Sequence, residues 1–270
     1  MVNEGYQFQD EVIAIAKEAG EAIMQIYSTD FGFEMKSDNS PLTKADIAAH
    51  DIIVARLHQL TPDIPVLSEE SDAIDIGLRL SWQKYWLIDP LDGTREFLKR
   101  NGEFTVNIAL VSQHQSIMGV VYAPVPGLTY YASKGQGAYK QIGTAPIQRI
   151  HTKNLNLQQI TVAGSRSHSD EKFQKFMHSV EATTLVKPEL IRLGSSLKIC
   201  LVAEGGADVY PRLGPTYEWD TAAAHCVLQE AGGDIVDEHA VTLSYNNKPS
   251  LLNPHFFATA DKSQQWATFL

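Results

Sequence analysis

The chain has 270 residues, 44% of them hydrophobic and 20% charged, which suits a globular protein with one large core or two smaller lobes. A net charge of −10 and a pI of about 5.3 argue against general affinity for nucleic acid polymers, which need a basic face. No apolar run approaches the roughly 20 residues of a membrane span, so no transmembrane segment is expected, and peripheral contact with the inner face of a membrane stays open.

The opening stretch MVNEGYQFQD has neither the basic segment nor the apolar core of a signal peptide, and a cytoplasmic location is expected. From Phe8 to Tyr27, Val12, Ile15, Ala16, Ala19, Ile23 and Ile26 recur at helical spacing. A turn-rich stretch from Lys36 to Leu42 precedes a second amphipathic helix over Lys44 to Leu60. Ile64 to Leu67 reads as a short strand ending in Ser68-Glu69-Glu70-Ser71. Tyr85 to Ile88 reads as a buried strand that stops at Asp89. Thr105 to Val111 and Ile117 to Ala123 read as neighbouring strands, and Gly127 to Lys140 as a hairpin.

The pattern restarts near Ile150 to Gln158. A strand over Ile160 to Ala163 runs into the turn Gly164 to His168 and a helix. Leu190 to Arg192 meets Gly194-Ser195-Ser196, then a helix to about Glu204. Ala207 to Tyr210 is a strand, and Asp220 to Glu230 a helix stopped by Gly232 and Gly233. This order predicts a layered α/β (α+β) architecture in two lobes, over residues 1–155 and 156–270. Cys200 and Cys226 lie in apolar helical patterns without metal-type spacing, as buried reduced thiols of a cytoplasmic protein would.

Glu69, Asp89, Asp92 and Asp220 all fall where a regular element ends. Hard divalent cations take oxygen ligands, and Mg²⁺ takes a few carboxylates with carbonyls and water. Pro90 bends the chain between Asp89 and Asp92, and Gly93 permits a tight backbone. Such a turn could aim both carboxylates and the Leu91 carbonyl at one point, with the Thr94 hydroxyl holding a water. No His or Cys joins the group, which disfavours zinc. Each piece also has an ordinary structural reading. Asp-Pro and Asp-Gly pairs make turns. Glu69-Glu70 could be a solvated loop, and Asp220 a helix N-cap. Thr43-Lys-Ala-Asp46 has the form of a capping box.

The stretch WLIDPLDGTREF, Trp86 to Phe97, resembles the signature of the inositol monophosphatase-like, metal-dependent, lithium-sensitive phosphatases. Lys36 with Thr43 to Asp46 resembles the family's first motif, and Ser68-Glu-Glu-Ser71 its second, with Ser68 in place of glycine. Glu218 to Ala223 resembles the last motif, and the likeness spans about residues 10–260. The resemblance implies a five-layer αβαβα sandwich. It implies a first Mg²⁺ on Glu69, Asp89 and the Leu91 carbonyl, a second on Asp89, Asp92 and Asp220, and a weaker third leaning on Glu69. It implies that Asp46 bonds Thr94, that Thr94 and Glu69 position the attacking water, and that the backbone at Gly93 and Thr94 meets the phosphate.

Within the family, Gly214 to Ala223, Ala163 to His168 and Gly194 to Lys198 resemble the 3′(2′),5′-bisphosphate nucleotidases. Inositol phosphatases carry a substrate-binding Glu seven residues before the last metal Asp, and here that position is Leu213. The implied reaction is hydrolysis of adenosine 3′,5′-bisphosphate to AMP and phosphate, in sulfur assimilation and nucleotide recycling. The implied substrate contacts are Gly93, Thr94, Asp220, Gly194, Ser195 and Ser196 at a helix start, Lys198, and Arg166 with His168 at a strand-to-helix turn. Arg166 and Lys198 also read as surface charge, Ser195 and Ser196 as helix caps, and Tyr217 either as a base contact or as a packed ring. The rival functions are an inositol or sugar phosphatase on the same fold and an inert nucleotide-binding protein. Both monomer and homodimer are compatible with the resemblance.

Overall fold

A computed structural model describes residues 5–29, 32–35, 41–72, 74–166 and 171–270. Helices α1 (Gln9–Tyr27) and α2 (Lys44–Leu60) form where the spacing predicts them. Val12, Ile15, Ala16, Ala19 and Ile23 are the buried face of α1, and Ala45, Ala49, Ile53 and Leu57 that of α2. A two-stranded ribbon joins them, β1 (Phe33–Met35) antiparallel to β2 (Pro41–Thr43).

Among the described residues, the next strands build a seven-stranded sheet in chain order. They are β3 (Val66–Ser68), β4 (Lys84–Asp92), β5 (Thr105–Ser112), β6 (Gln115–Ala123), β7 (Leu128–Ser133), β8 (Gly137–Ile142) and β9 (Gln148–Ile150). β3 and β4 are parallel, joined through the short helix α3 (Ile76–Leu80), and the other pairs are antiparallel. Trp86, Ile88, Val106, Ile108 and Leu110 meet α1 and α2 on one face. Tyr85, Leu87, Ala109 and Val111 face the other way. Burial on both faces explains why these strands read as unbroken apolar runs.

β4 departs from the expected strand that stops at Asp89. It continues to Asp92, with Asp89 opposite Asn107 and Asp92 opposite Thr105. Three steps on β4 therefore face two on β5, which is a bulge. In a regular strand a separation of three puts side chains on opposite faces. The extra residue lets Asp89 and Asp92 line the same cavity. The turn comes after Asp92, at Gly93, and leads into α4 (Thr94–Leu98).

Among the described residues, the second half builds a five-stranded sheet from β10 (Thr161–Ser165), β11 (Glu189–Leu193), β12 (Val209–Arg212), β13 (Asp234–Asp237) and β14 (Phe256–Thr259), in the order β11-β10-β12-β14-β13. Helices α5 (Glu171–Thr184), α6 (Leu197–Ala203) and α7 (Ala222–Ala231) accompany it. Apolar residues of α6 and α7 share one core with the second face of the seven-stranded sheet and with Ala163, Tyr210, Ile235 and Ala258 of the five-stranded sheet. On the outer face, Phe173, Phe176 and Val180 of α5 meet Val162, Val209 and Phe257. The layers are thus α1/α2, sheet, α6/α7, sheet, α5, the five-layer sandwich the resemblance implied. α7 sits hard on β6, since a Cβ at Gly119 would lie 2.1 Å from the Ala223 carbonyl oxygen. The helix expected over Asp220 to Glu230 is split into a 3-10 turn over Glu218–Asp220 and α7, which ends at Gly232 with φ of +113°. Among the described residues no helix is long and apolar enough to cross a membrane.

Candidate active site

The acids at the element ends converge. Glu69 follows β3, and its N–H donates to the Ile88 carbonyl at 3.2 Å, so the parallel pairing carries it to the level of Asp89. Asp220 arrives from the 3-10 turn that precedes α7. One carboxylate oxygen from each of Glu69, Asp89 and Asp220 lies within 4.8 Å of the others. Burial, then the charges of Glu69, Asp92, Asp220 and Asp46, push the Asp89 carboxyl well above the usual carboxylate range. Burial, then Asp92 and Glu69, raise Asp220 likewise, against the lowering pull of the Tyr217 N–H and of Arg212. Buried like charges at this spacing are costly unless a cation compensates them. The donor set is carboxylate throughout, which fits Mg²⁺ rather than zinc.

Asp92 lies outside that tightest group but in the same cavity. Its Oδ2 accepts from the Ser196 N–H at 2.7 Å, the Ser196 hydroxyl at 2.8 Å, the Ser195 hydroxyl at 3.0 Å and Asn107 Nδ2 at 3.4 Å. Ser196 Oγ is also 2.7 Å from the Asp220 carbonyl. The two serines expected at a phosphate therefore hold the carboxylate of Asp92. Ser195 does so with φ of +56°, a conformation costing a side-chain-bearing residue roughly 1–2 kcal/mol. Such backbone strain concentrates at functional sites. Gly194 donates its N–H to Glu103 Oε2 at 2.8 Å and also lines the cavity.

Thr43 and Asp46 do form the capping box of α2. Asp46 Oδ2 accepts the Thr43 N–H at 2.7 Å, while its Oδ1 lies 3.4 Å from Thr94 Oγ1. Thr94 Oγ1 is also 3.5 Å from the Leu91 carbonyl oxygen. Leu91 in turn donates its N–H to Asp89 Oδ1 at 3.0 Å, which ties the bulge to the buried acid. Gly93 supplies the left-handed residue, φ of +93°, that turns β4 into α4. Asp220 is not the cap of α7. Its Oδ2 accepts the Tyr217 N–H at 2.9 Å within the 3-10 turn.

The four acids, Leu91, Gly93 and Thr94 open onto a cavity of about 350 Å³ that Lys198, Tyr210, Arg212, Tyr217 and Trp219 also line. Lys198 Nζ donates to the Ser195 carbonyl at 2.5 Å and lies 5.2 Å from the Tyr210 ring centre. Tyr217 is both packed and at the cavity, stacked on Trp219 at 4.9 Å. Arg166 is not among the lining residues, and its guanidinium engages Glu103 at 2.6 and 2.8 Å. His168 and Lys36 lie outside the described residues. Leu213 is buried in the outer core beside α5, away from the lining.

Sequence reasoning missed Arg212. It closes β12, its Nη2 donates to the Pro215 carbonyl at 2.7 Å, and its buried Nε has no hydrogen-bond partner among the described residues. The available signal was an arginine at a strand end, eight residues before Asp220.

The inositol monophosphatase family matches residues 6–266. The 3′(2′),5′-bisphosphate nucleotidase CysQ of Salmonella typhimurium is 46% identical over 252 residues, 93% of this chain and 98% of that protein. The crystal structure of CysQ from Bacteroides thetaiotaomicron, a bacterial member of the inositol monophosphatase family, superposes with a TM-score of 0.81 at 41% identity, covering 94% of this chain and 98% of that one. The extragenic suppressor protein SuhB from Bartonella henselae gives 0.78 at 26% identity, covering 96% of each chain. With its acids gathered in the same sandwich, the chain belongs to the inositol monophosphatase family.

Proposed function

We propose that the chain is a Mg²⁺-dependent phosphatase that removes the 3′-phosphate of adenosine 3′,5′-bisphosphate, yielding AMP and phosphate. The carrying observation is a cluster of acids, the half-buried Glu69 and Asp220 around the buried Asp89, in one cavity with the cations Lys198 and Arg212. Acids suit metal ions at the phosphate to be cleaved. Cations a short way off suit a phosphate to be kept. The names of the relatives support a bisphosphate nucleotide.

Glu69, Asp89, the Leu91 carbonyl, Asp92 and Asp220 would hold two Mg²⁺ ions, with a weaker third leaning on Glu69. Bound ions of this kind supply an acidified water and neutralise charge on the transferring phosphoryl group. The rest falls to the chain. Thr94 donates its hydroxyl proton toward Asp46, so its oxygen lone pairs are turned to accept from the attacking water. Gly93 leaves the backbone bare where a phosphate would approach. Ser195 and Ser196 hold Asp92 in place. Arg212 is the better placed cation for the retained 5′-phosphate, since Lys198 is committed to Ser195 and Tyr210. The segment over residues 1–155 would supply most metal ligands, and that over 156–270 the last ligand and the substrate grip. Two buried, unpaired cysteines support a cytoplasmic setting.

Phosphate release from adenosine 3′,5′-bisphosphate, with and without Mg²⁺ and beside inositol 1-phosphate, tests the reading. Mg²⁺-dependent release mainly from the nucleotide is expected. Faster release from the inositol ester would overturn the substrate, and no release from either would overturn the activity.

A further inference from the structure

Arg79 belongs to α3, in the crossover between the strands that lead to Glu69 and Asp89. An arginine on a five-residue surface helix is expected to face water. This one is 3% exposed, while Ile76 and Leu78 of the same helix are exposed. Its guanidinium donates to Asn246 Oδ1 and to the Pro249 carbonyl at 2.8 Å. Asn246 Nδ2 donates back to the Arg79 carbonyl at 2.7 Å. Asn246 is fully buried, and its own N–H donates to Glu218 Oε2 at 2.6 Å. Lys248 Nζ donates to Glu218 Oε1 at 3.1 Å. Glu218 is fully buried and opens the three-residue turn that ends at Asp220.

We propose that Arg79, Asn246 and Glu218 form a positioning clamp that fixes the Asp220 carboxylate against Glu69 and Asp89. The proposal rests on the reading of those acids as a cation site. Glu69 and Asp89 come from adjacent strands of one sheet, so their separation is set by the ladder. Asp220 comes from a three-residue turn whose backbone bonds are two contacts of 3.2 Å, Asp220 N–H to the Tyr217 carbonyl and Thr221 N–H to the Glu218 carbonyl, beside the Tyr217 N–H on Asp220 Oδ2 and the Ser196 hydroxyl at the Asp220 carbonyl. These bonds fix the shape of the turn, and a metal site also needs the turn as a body held to a fraction of an ångström. Arg79 extends from the crossover of the ligand-bearing strands, grips the 246–249 segment, and through it fixes the residue two places before Asp220. Burying an acid such as Glu218 is costly unless it is paired, and Asn246 with Lys248 meets that need. Arg79 touches neither the cavity nor the acids, so its role is to position Asp220 through other residues.

The test uses the full chain stripped of metal and Mn²⁺, an ion that carboxylate sites of this kind accept, followed by loss of the free-ion paramagnetic signal. Arg79→Met is expected to weaken Mn²⁺ binding by about tenfold, the scale on which such supporting partners act. Arg79→Lys, which restores one donor, should recover part of the loss. Lys248→Met alters a partly exposed side chain and leaves Asn246 on Glu218, and it should also weaken the ion, by less. If Arg79→Met does not fold, Lys248→Met carries the test. Lower melting temperatures with unchanged Mn²⁺ affinity would reduce the network to stability alone and overturn the clamp. No Mn²⁺ binding by the unaltered chain would overturn both the clamp and the metal site. Normal ion binding weakened by the variants, without nucleotide cleavage, would support the clamp and overturn only the proposed substrate.

Discussion

Asp46 and Thr94 are 48 residues apart in the chain and 3.4 Å apart at Asp46 Oδ1 and Thr94 Oγ1. The other Asp46 oxygen accepts the Thr43 N–H at 2.7 Å and the Thr43 hydroxyl at 2.6 Å. One carboxylate thus serves both readings that the sequence left open. It caps α2, and by capping it is held where it can orient Thr94.

That division of labour separates activity from stability. Asp46→Asn can keep an oxygen on Thr43 but turns its amide toward Thr94, which loses its acceptor. Turnover should fall by about 10²–10⁴-fold, the range of positioned proton-transfer groups. The cap should cost about 1 kcal/mol at most. Thr94→Ala should fall similarly, and the double variant should be little worse than either single one, because the two act as a unit. Fully multiplicative losses in kcat would refute the pairing.

Asp89 is expected to show the opposite balance. Asp89→Asn replaces the buried member of the acid cluster with an amide that cannot ionise, and it should nearly abolish turnover. The same change should stabilise the metal-free chain, since it relieves repulsion from Glu69, Asp92 and Asp220. The sign with pH follows from the raised carboxyl. The folded, metal-free chain holds that proton at pH values where the unfolded chain has lost it. Stability is therefore lost as pH rises from the ordinary carboxylate range through the raised value. Melting in chelator across pH should show this fall for the unaltered chain and a flatter profile for Asp89→Asn. A lower metal-free melting temperature for the variant would sink the argument.

The limits of the sequence can be traced to particular residues. The apolar run Trp86-Leu87-Ile88 announced β4, and the helical spacing of Val12 to Ile23 announced α1, because local periodicity carries both. The bulge was invisible, because it exists only in the pairing of Asp89 with Asn107 and of Asp92 with Thr105. The acids could be named from their motifs, but their convergence depends on a turn at Asp220 from the far half of the chain. Gly194-Ser-Ser196 looked like an anion site at a helix start. The anion it meets is Asp92, 103 and 104 residues away from the two serines.

Ser196 separates those two roles. Ser196→Ala deletes a hydroxyl whose one proton is shared between Asp92 Oδ2 at 2.8 Å and the Asp220 carbonyl at 2.7 Å. If the serine holds a metal ligand, the Mg²⁺ concentration for half-maximal rate should rise by about tenfold. The nucleotide KM at saturating Mg²⁺ should stay put. A rise in KM with unchanged Mg²⁺ dependence would restore the serine to the substrate.

Arg166 and Arg212 make the last contrast. Both are arginines near strand ends in the second half of the chain, and only the first attracted notice in the sequence. Arg166 spends its guanidinium on Glu103 in a half-exposed pair, an interaction worth at most about 1 kcal/mol. Arg212 lines the cavity with a buried Nε that has no partner among the described residues, a state that costs free energy until a ligand oxygen arrives. Arg212→Met should raise KM for adenosine 3′,5′-bisphosphate by about tenfold or more, the scale of a lost charge-assisted bond. Hydrolysis of a 3′-monophosphate, which lacks the 5′ group, should suffer far less, because the lost contact is to the phosphate that stays. Arg166→Ala should leave both substrates within about threefold, as expected for a surface pair. Equal losses on the two substrates for Arg212→Met would place that side chain elsewhere than at the 5′-phosphate. A large KM effect from Arg166→Ala would mean that the arginine leaves Glu103 to meet the substrate.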